Sequence, residues 1–230
     1  MNEFFSNVVG VIGNPAPTIA RVMDKKRWQA ALAVILLVTA VVTFITFPIT
    51  KVEQAKFIRD SEMADKLGEE QLANLDKFTP TQRVTGSLFA MVFSGLTVVV
   101  AAFFIYLFFK VAGCEGNYVN FFSGVAYASI LDMALGGLLK GSLILLKKSM
   151  MVHTGLTMFF PGLDFRSLPF IVLSQFDFFS LWYLAVLALG IAVYAKISLR
   201  KSITVTGAYF LFKSLVFVAF SYLTMKMMGM

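Results

Sequence analysis

Gly113-Cys114-Glu115-Gly116-Asn117-Tyr118-Val119-Asn120-Phe121-Phe122-Ser123-Gly124-Val125-Ala126-Tyr127-Ala128-Ser129-Ile130-Leu131-Asp132, continuing to Leu146, is the stretch that decides the fold. A polar, glycine-rich hinge runs into an apolar segment long enough to cross a bilayer. That segment carries an acid, Asp132, in its middle and a base, Lys140, two turns later. Charge at such depth is costly, so each of these residues needs a partner or a purpose.

Working outward, the whole chain has the same character. Its 230 residues are 58% hydrophobic, with a mean hydropathy of +0.80. A soluble domain cannot bury that much apolar surface, which implies an all-α polytopic membrane protein. Lys and Arg number 20 against 13 Asp and Glu. In a soluble protein that excess would suggest nucleic acid, but here the bases flank apolar segments, where they set orientation at the lipid surface. One cysteine, Cys114, excludes an intrachain disulfide, and with one histidine it excludes a zinc cluster built from those residues.

Five spans are predicted, at about 28–49, 86–109, 121–146, 174–195 and 203–226. The first opens on Trp28 and closes at Pro48. It is too long for the core of a cleavable signal and is expected to be retained. Residues 1–27 form a cytoplasmic amphipathic leader, separate from the transmembrane domain at 28–230. In it Phe4, Phe5, Val8, Val9 and Ile12 share one helical face, and Asn14-Pro15-Ala16-Pro17 breaks the pattern. A second short helix then carries Ile19, Val22 and Met23 beside Arg21, Lys25, Lys26 and Arg27. Residues 50–85 are an outer loop, with six basic and seven acidic residues between Lys51 and Arg83 and a break at Gly68. An N-in, C-out orientation gathers Arg21, Lys25, Lys26, Arg27, Lys110, Lys196, Arg200 and Lys201 on the inner side.

With that orientation, Asp132 and Lys213 lie roughly 15 to 17 Å from the inner boundary at 1.5 Å per residue. Lys140 and Asp177 lie about 28 Å from it. Matched depth predicts an Asp132–Lys213 pair and a Lys140–Asp177 pair. Gly124, Ala128 and Gly136 recur at steps of four around Asp132, and Gly137 with Gly141 forms a GxxxG. Such small residues let helices approach closely in lipid, which makes this span the central packing helix.

No sequence signature of a catalytic set is present: there is no HExxH, P-loop, Rossmann fingerprint or GxSxG. Lys140 and Ser142 are neighbours at a helix end rather than a hydrolytic dyad, and no enzyme activity is expected. Met150, Met151, His153, Met158, Met225, Met227, Met228 and Met230 form a soft-ligand set suited to Cu(I). Methionine is also a flexible filler, and neither a metal nor another cofactor is expected.

Two groups of residues carry a family resemblance. One is Lys110 to Ala128, with Gly113, Gly116, Tyr118, Phe121 and the Val125-Ala126-Tyr127-Ala128 run. The other is Phe178-Phe179-Ser180-Leu181-Trp182, then Leu189-Gly190-Ile191, then Lys196-Ile197-Ser198 with Lys201-Ser202; Asn14-Pro15 and Trp28 supply the lead-in. The chain resembles bacterial members of the Yip1 domain family. The resemblance implies five spans and a cytosolic N-terminus. It also implies membrane-trafficking or membrane-shape roles of the kind associated with eukaryotic members and their Rab GTPases, the bacterial role being unsettled. Where many relatives have a proline after the Val-Ala-Tyr-Ala run, this chain has Ile130-Leu131-Asp132, so the acid departs from the pattern.

The expectation is a non-enzymatic scaffold or membrane-organising protein of a bacterial inner membrane. It contacts the lipid bilayer and a membrane-protein partner or a second copy, with no nucleic acid and no small-molecule substrate. The rival is a small transporter or channel component using Asp132 and Lys213.

Overall fold

The structure, a computed structural model, describes residues 2–61 and 64–227. Every regular element among them is helical: α1 (Asn2–Gly13), α2 (Pro15–Asp24), α3 (Gln29–Arg59), α4 (Glu69–Asn74), α5 (Pro80–Val111), α6 (Tyr118–Ser129), a π-helical segment (Ile130–Gly136), α7 (Gly137–Lys147), α8 (Leu168–Ser174), α9 (Phe178–Tyr194) and α10 (Leu199–Met227). The π segment joins α6 and α7 into one rod, Tyr118–Lys147.

Four helices are long and apolar enough to cross a membrane: α3, α5, the α6–α7 rod and α10. At 17 residues α9 is shorter, about 26 Å at helical rise. Large apolar side chains such as Phe89, Phe93, Leu215 and Phe220 point outward, as a lipid solvent permits. The core is a continuous cluster contributed chiefly by α2, α5, α6 and α9, with Phe109, Phe121, Leu131, Leu187 and Ile191 fully buried.

Helix starts follow local chemistry. Thr79-Pro80-Thr81-Gln82 is a capping box: the Gln82 amide donates to Thr79 Oγ1 at 3.2 Å, and the Thr79 amide donates to Gln82 Oε1 at 2.8 Å. α5 therefore begins six residues before the expected boundary at 86. Asn117 and Asn120 form the same reciprocal box at the head of α6. At the opposite helix ends, α2, α5 and α9 share one closing motif. Arg27, Cys114 and Ile197 donate amides back to Val22, Phe109 and Ala192. The left-handed residue in each is Lys26, Gly113 and Lys196, with φ of 52°, 78° and 51°.

The first span does not close at Pro48. α3 runs through it to Arg59, well into the expected outer loop. Proline cannot donate to the carbonyl four residues back, which leaves the Phe44 oxygen free. Arg83 of α5 fills that place, its Nε donating to the Phe44 oxygen at 2.6 Å while the guanidinium lies 4.0 Å from the Phe44 ring. Beyond the proline, Glu53 accepts from the Met150 amide at 2.6 Å and from Ser149 Oγ at 3.0 Å, tying α3 to the end of α7. Among the described residues, the 60–79 connector holds a 3-10 turn, Ala64–Lys66, and α4, and it is pinned by an Arg59–Asp76 ion pair at 2.8 Å.

The second leader helix is packed into the bundle. α1 and α2 form an antiparallel hairpin in which Gly10 faces Thr18, Arg21 donates to Asn7 at 2.7 Å, and Glu3 pairs with Lys25 and Arg27. The apolar stripe of α2, Ile19, Val22 and Met23, is fully buried between α6 and α9. An amphipathic stripe can be covered by protein as readily as by lipid, and here two glycines make the room. A Cβ on Gly190 would sit 2.2 Å from Ile19, and one on Gly124 would sit 2.8 Å from Met23. The buried side-chain amide of Asn120 donates to the Met23 carbonyl at 2.8 Å and fixes the hairpin's depth.

Replacing Arg83 by Gln should cost about 1 kcal/mol by thermal unfolding in detergent. In a Pro48→Ala background, where residue 48 can bond Phe44 itself, the same replacement should cost almost nothing; equal losses in both backgrounds would remove the carbonyl-capping role. Gly190→Ala should destabilise by about 1–3 kcal/mol through overpacking, and Ile19→Ala should restore most of that loss.

Candidate functional site

The charged residues inside the bundle fall into two groups. At one end of the rod, Lys140 of α7 lies 3.1 Å from Asp177, the residue that opens α9. Asp177 caps α9 by accepting from the amides of Phe179 at 3.0 Å and Ser180 at 3.4 Å, and it accepts a short hydrogen bond from the Thr154 hydroxyl. A bridge between Gly155 and Asp177 fastens the preceding loop to the same point. One carboxylate thus joins the rod, the loop and α9.

Deeper in the bundle, the expected Asp132–Lys213 ion pair is not formed. Asp132 Oδ2 accepts from Ser180 Oγ at 2.9 Å. The reason is lateral position: α9 packs against both the π segment and α10, so its serine reaches the acid first. Lys213 lies 5.8 Å from the Phe210 ring and borders an apolar groove of about 420 Å³ between α5 and α10. The Tyr183 and Ser214 hydroxyls nearby in sequence on α9 and α10 are buried without a hydrogen-bond partner among the described residues.

Small residues along the rod have divided roles. Gly124 receives Met23, Gly136 receives the Phe179 side chain, and Gly141 receives Val42 of α3. Ala128 is fully buried in the core, whereas Gly137 has no neighbour within 4 Å, so the GxxxG makes one close contact rather than a seam. The packing expected between spans is, at Gly124, packing against the N-terminal hairpin.

The motif residues gather at the end of the bundle where α2 meets α3, α5 meets α6 and α9 meets α10. Gly116, at φ +115°, sits under Tyr194, whose hydroxyl would lie 2.8 Å from a Cβ placed there. Phe121 packs on Tyr106, Phe109 and Tyr194, and Tyr118 stacks on Phe122, which also contacts Trp28. Tyr127 is buried in the core. Ser198 Oγ accepts from the Lys201 amide at 3.2 Å, opening α10, while Trp182 lies farther along α9 against Phe178 and Phe179.

That end also holds a set of exposed bases: Arg21, Lys25, Lys26, Arg27, Lys110, Lys196, Arg200 and Lys201. Glu3, Asp24 and Glu115 are the acids among them. The hydrogen bond from Lys25, helped by Arg27, holds the Glu3 carboxyl below its ordinary range. At the opposite end His153 packs edge-on against Phe170 at 5.1 Å, and burial, helped by Lys147, pushes its imidazole down from the usual value. Met228 and Met230 lie outside the described residues.

Sequence reasoning missed Ser180, Asn120 and Arg83. Asn120 was detectable as the fourth residue of the Asn117 box. Ser180 and Arg83 act across 48 and 39 residues of chain and leave no local signal.

No curated protein and no solved structure matches the sequence. The Yip1 domain matches residues 9–221, which run from within α1 to within α10. A membrane protein whose glycine hinge, aromatic cluster and basic turns lie inside that match belongs to the Yip1 domain family.

Proposed function

We propose that this Yip1-family protein is a non-enzymatic scaffold of a bacterial inner membrane. It crosses the bilayer five times with its N-terminus inside, and it organises lipid or a partner protein through its basic end. The docked α1–α2 hairpin carries the proposal. By burying Ile19, Val22 and Met23 against α6 and α9, it holds Arg21, Lys25, Lys26 and Arg27 at the end of the bundle where Lys110, Lys196, Arg200 and Lys201 are also exposed. A fixed array of bases attracts an anionic leaflet at about 1 kcal/mol per residue near the surface.

The five-pass count is supported by the placement of α9. Its head is tied to the end of the rod through Lys140 and Asp177, and its tail lies beside the α5–α6 hinge through Tyr194 and Gly116. It therefore runs the depth of the bundle between them. The excess of bases at the hinge end supports placing that end inside.

A transport role would require Asp132 to meet water. Its engagement by Ser180 favours a structural acid instead. In a Cys114→Ser background, Asp132→Cys in native vesicles should resist a water-soluble thiol reagent. Rapid labelling would favour the transporter over the scaffold. An Asp132→Lys, Lys213→Asp exchange should yield no more folded protein than either single variant, and recovery of wild-type levels would restore the direct pair.

A further inference from the structure

At the junction of α1, α2, α3 and α6 there is a cavity of about 410 Å³, with Asn7 and Tyr127 in its lining. Phe4 forms one wall, Lys25, Lys26 and Arg27 reach it from the connector, and Gln29 and Ala30 bring the start of α3 to its edge. Three cations therefore converge on one opening.

Glu3, which does not itself line the cavity, engages two of these cations. Its two oxygens lie 3.1 Å from Lys25 Nζ and 2.6 Å from Arg27 Nη1. All three side chains are close to half exposed, and ion pairs in that setting hold weakly. Lys26 has no ion-pair partner among the described residues, and its backbone takes a left-handed conformation that other residues than glycine rarely adopt. Trp28 gives α3 no side-chain cap, so the first amides of a 31-residue helix add to the positive field at the same edge. A lipid phosphodiester presents, like the carboxylate, one charge on two unesterified oxygens, so it can take the place of Glu3 on Lys25 and Arg27, and its ester oxygens add weaker acceptors for the third cation. Beside the cavity, α1 exposes Phe5, Val9 and Ile12 along one face, a surface suited to acyl chains.

We propose that this cavity binds the phosphate of an anionic lipid headgroup, and that Glu3 is the internal counter-ion which the headgroup displaces. The inference rests on the scaffold reading, in which this end faces an anionic leaflet.

The test uses the full chain in nanodiscs of phosphatidylcholine with increasing phosphatidylglycerol. In a Trp182→Phe background the remaining tryptophan, Trp28, adjoins the site and reports through its emission. The signal should saturate. Lys26→Gln should raise the midpoint about fivefold, and Glu3→Gln should lower it about threefold by removing the competitor. Partial unfolding cannot tighten binding, so opposite shifts identify the site. Unchanged midpoints, or weakening in both variants, would overturn it. Inorganic phosphate, titrated at constant ionic strength into pure phosphatidylcholine discs, should give no comparable saturation; an equal response there would overturn the headgroup assignment. If only Arg200→Gln with Lys201→Gln moves the midpoint, the basic end binds lipid without this cavity. If no variant moves it, cavity and basic-end reading both fail.

Discussion

The hydrogen bond from the Asn120 side chain to the Met23 carbonyl is the contact on which this end of the molecule depends. It is buried, and an unmet amide or carbonyl there would carry a large desolvation cost. Asn120 is available for it because the same side chain already faces Asn117 in the box that starts α6. The hinge Gly113–Asn117 thus has two linked effects: it turns the chain between α5 and α6, and it presents the group that seats α2. With α2 seated, Ile19 and Met23 lie on Gly190 and Gly124, and residues 25–27 are held at the bundle's rim. Burial in the core and charge on the surface follow from one placement.

Lysine at two of the three left-handed closing positions fits that placement. Glycine would be less strained at Lys26 and Lys196, as Gly113 is in the third copy of the motif. A lysine there keeps a cation beside the carbonyl end of its helix, where the dipole favours it, and adds to the charge of the face. Conformational strain and surface charge are set by the same residue, which ties the helix ends to the chemistry of the end they form.

Much of this was legible in the chain itself. Four of the five expected apolar segments, the hinge and the helical nature of both leader segments follow from apolar length and residue spacing. Lys140 and Asp177 meet where depth counting puts them. Asp132 and Lys213 do not, because depth fixes only one coordinate and α9 stands between their helices. The hairpin's antiparallel register, Glu3 with Lys25 and Asn7 with Arg21, lies in plain three- and four-residue spacings, but a stripe such as Ile19, Val22 and Met23 does not say whether lipid or protein covers it. Pro48 looked like a terminator because the arginine that takes over its missing bond is 39 residues away from the carbonyl.

The acid at 132 belongs to the same logic of local accommodation. A carboxylate in a bilayer must be hydrogen-bonded or paired, and a wide π turn is a common way to re-aim a side chain within a helix. Here the π segment places Asp132 toward Ser180, in the first turn of the helix that Asp177 caps. Two carboxylates of this region therefore meet the head of α9, one through its free amides and one through its serine. Since Lys140 pairs with the first at 3.1 Å, the second is left to a neutral hydroxyl at 2.9 Å, a contact that ties the rod to the first turn of α9.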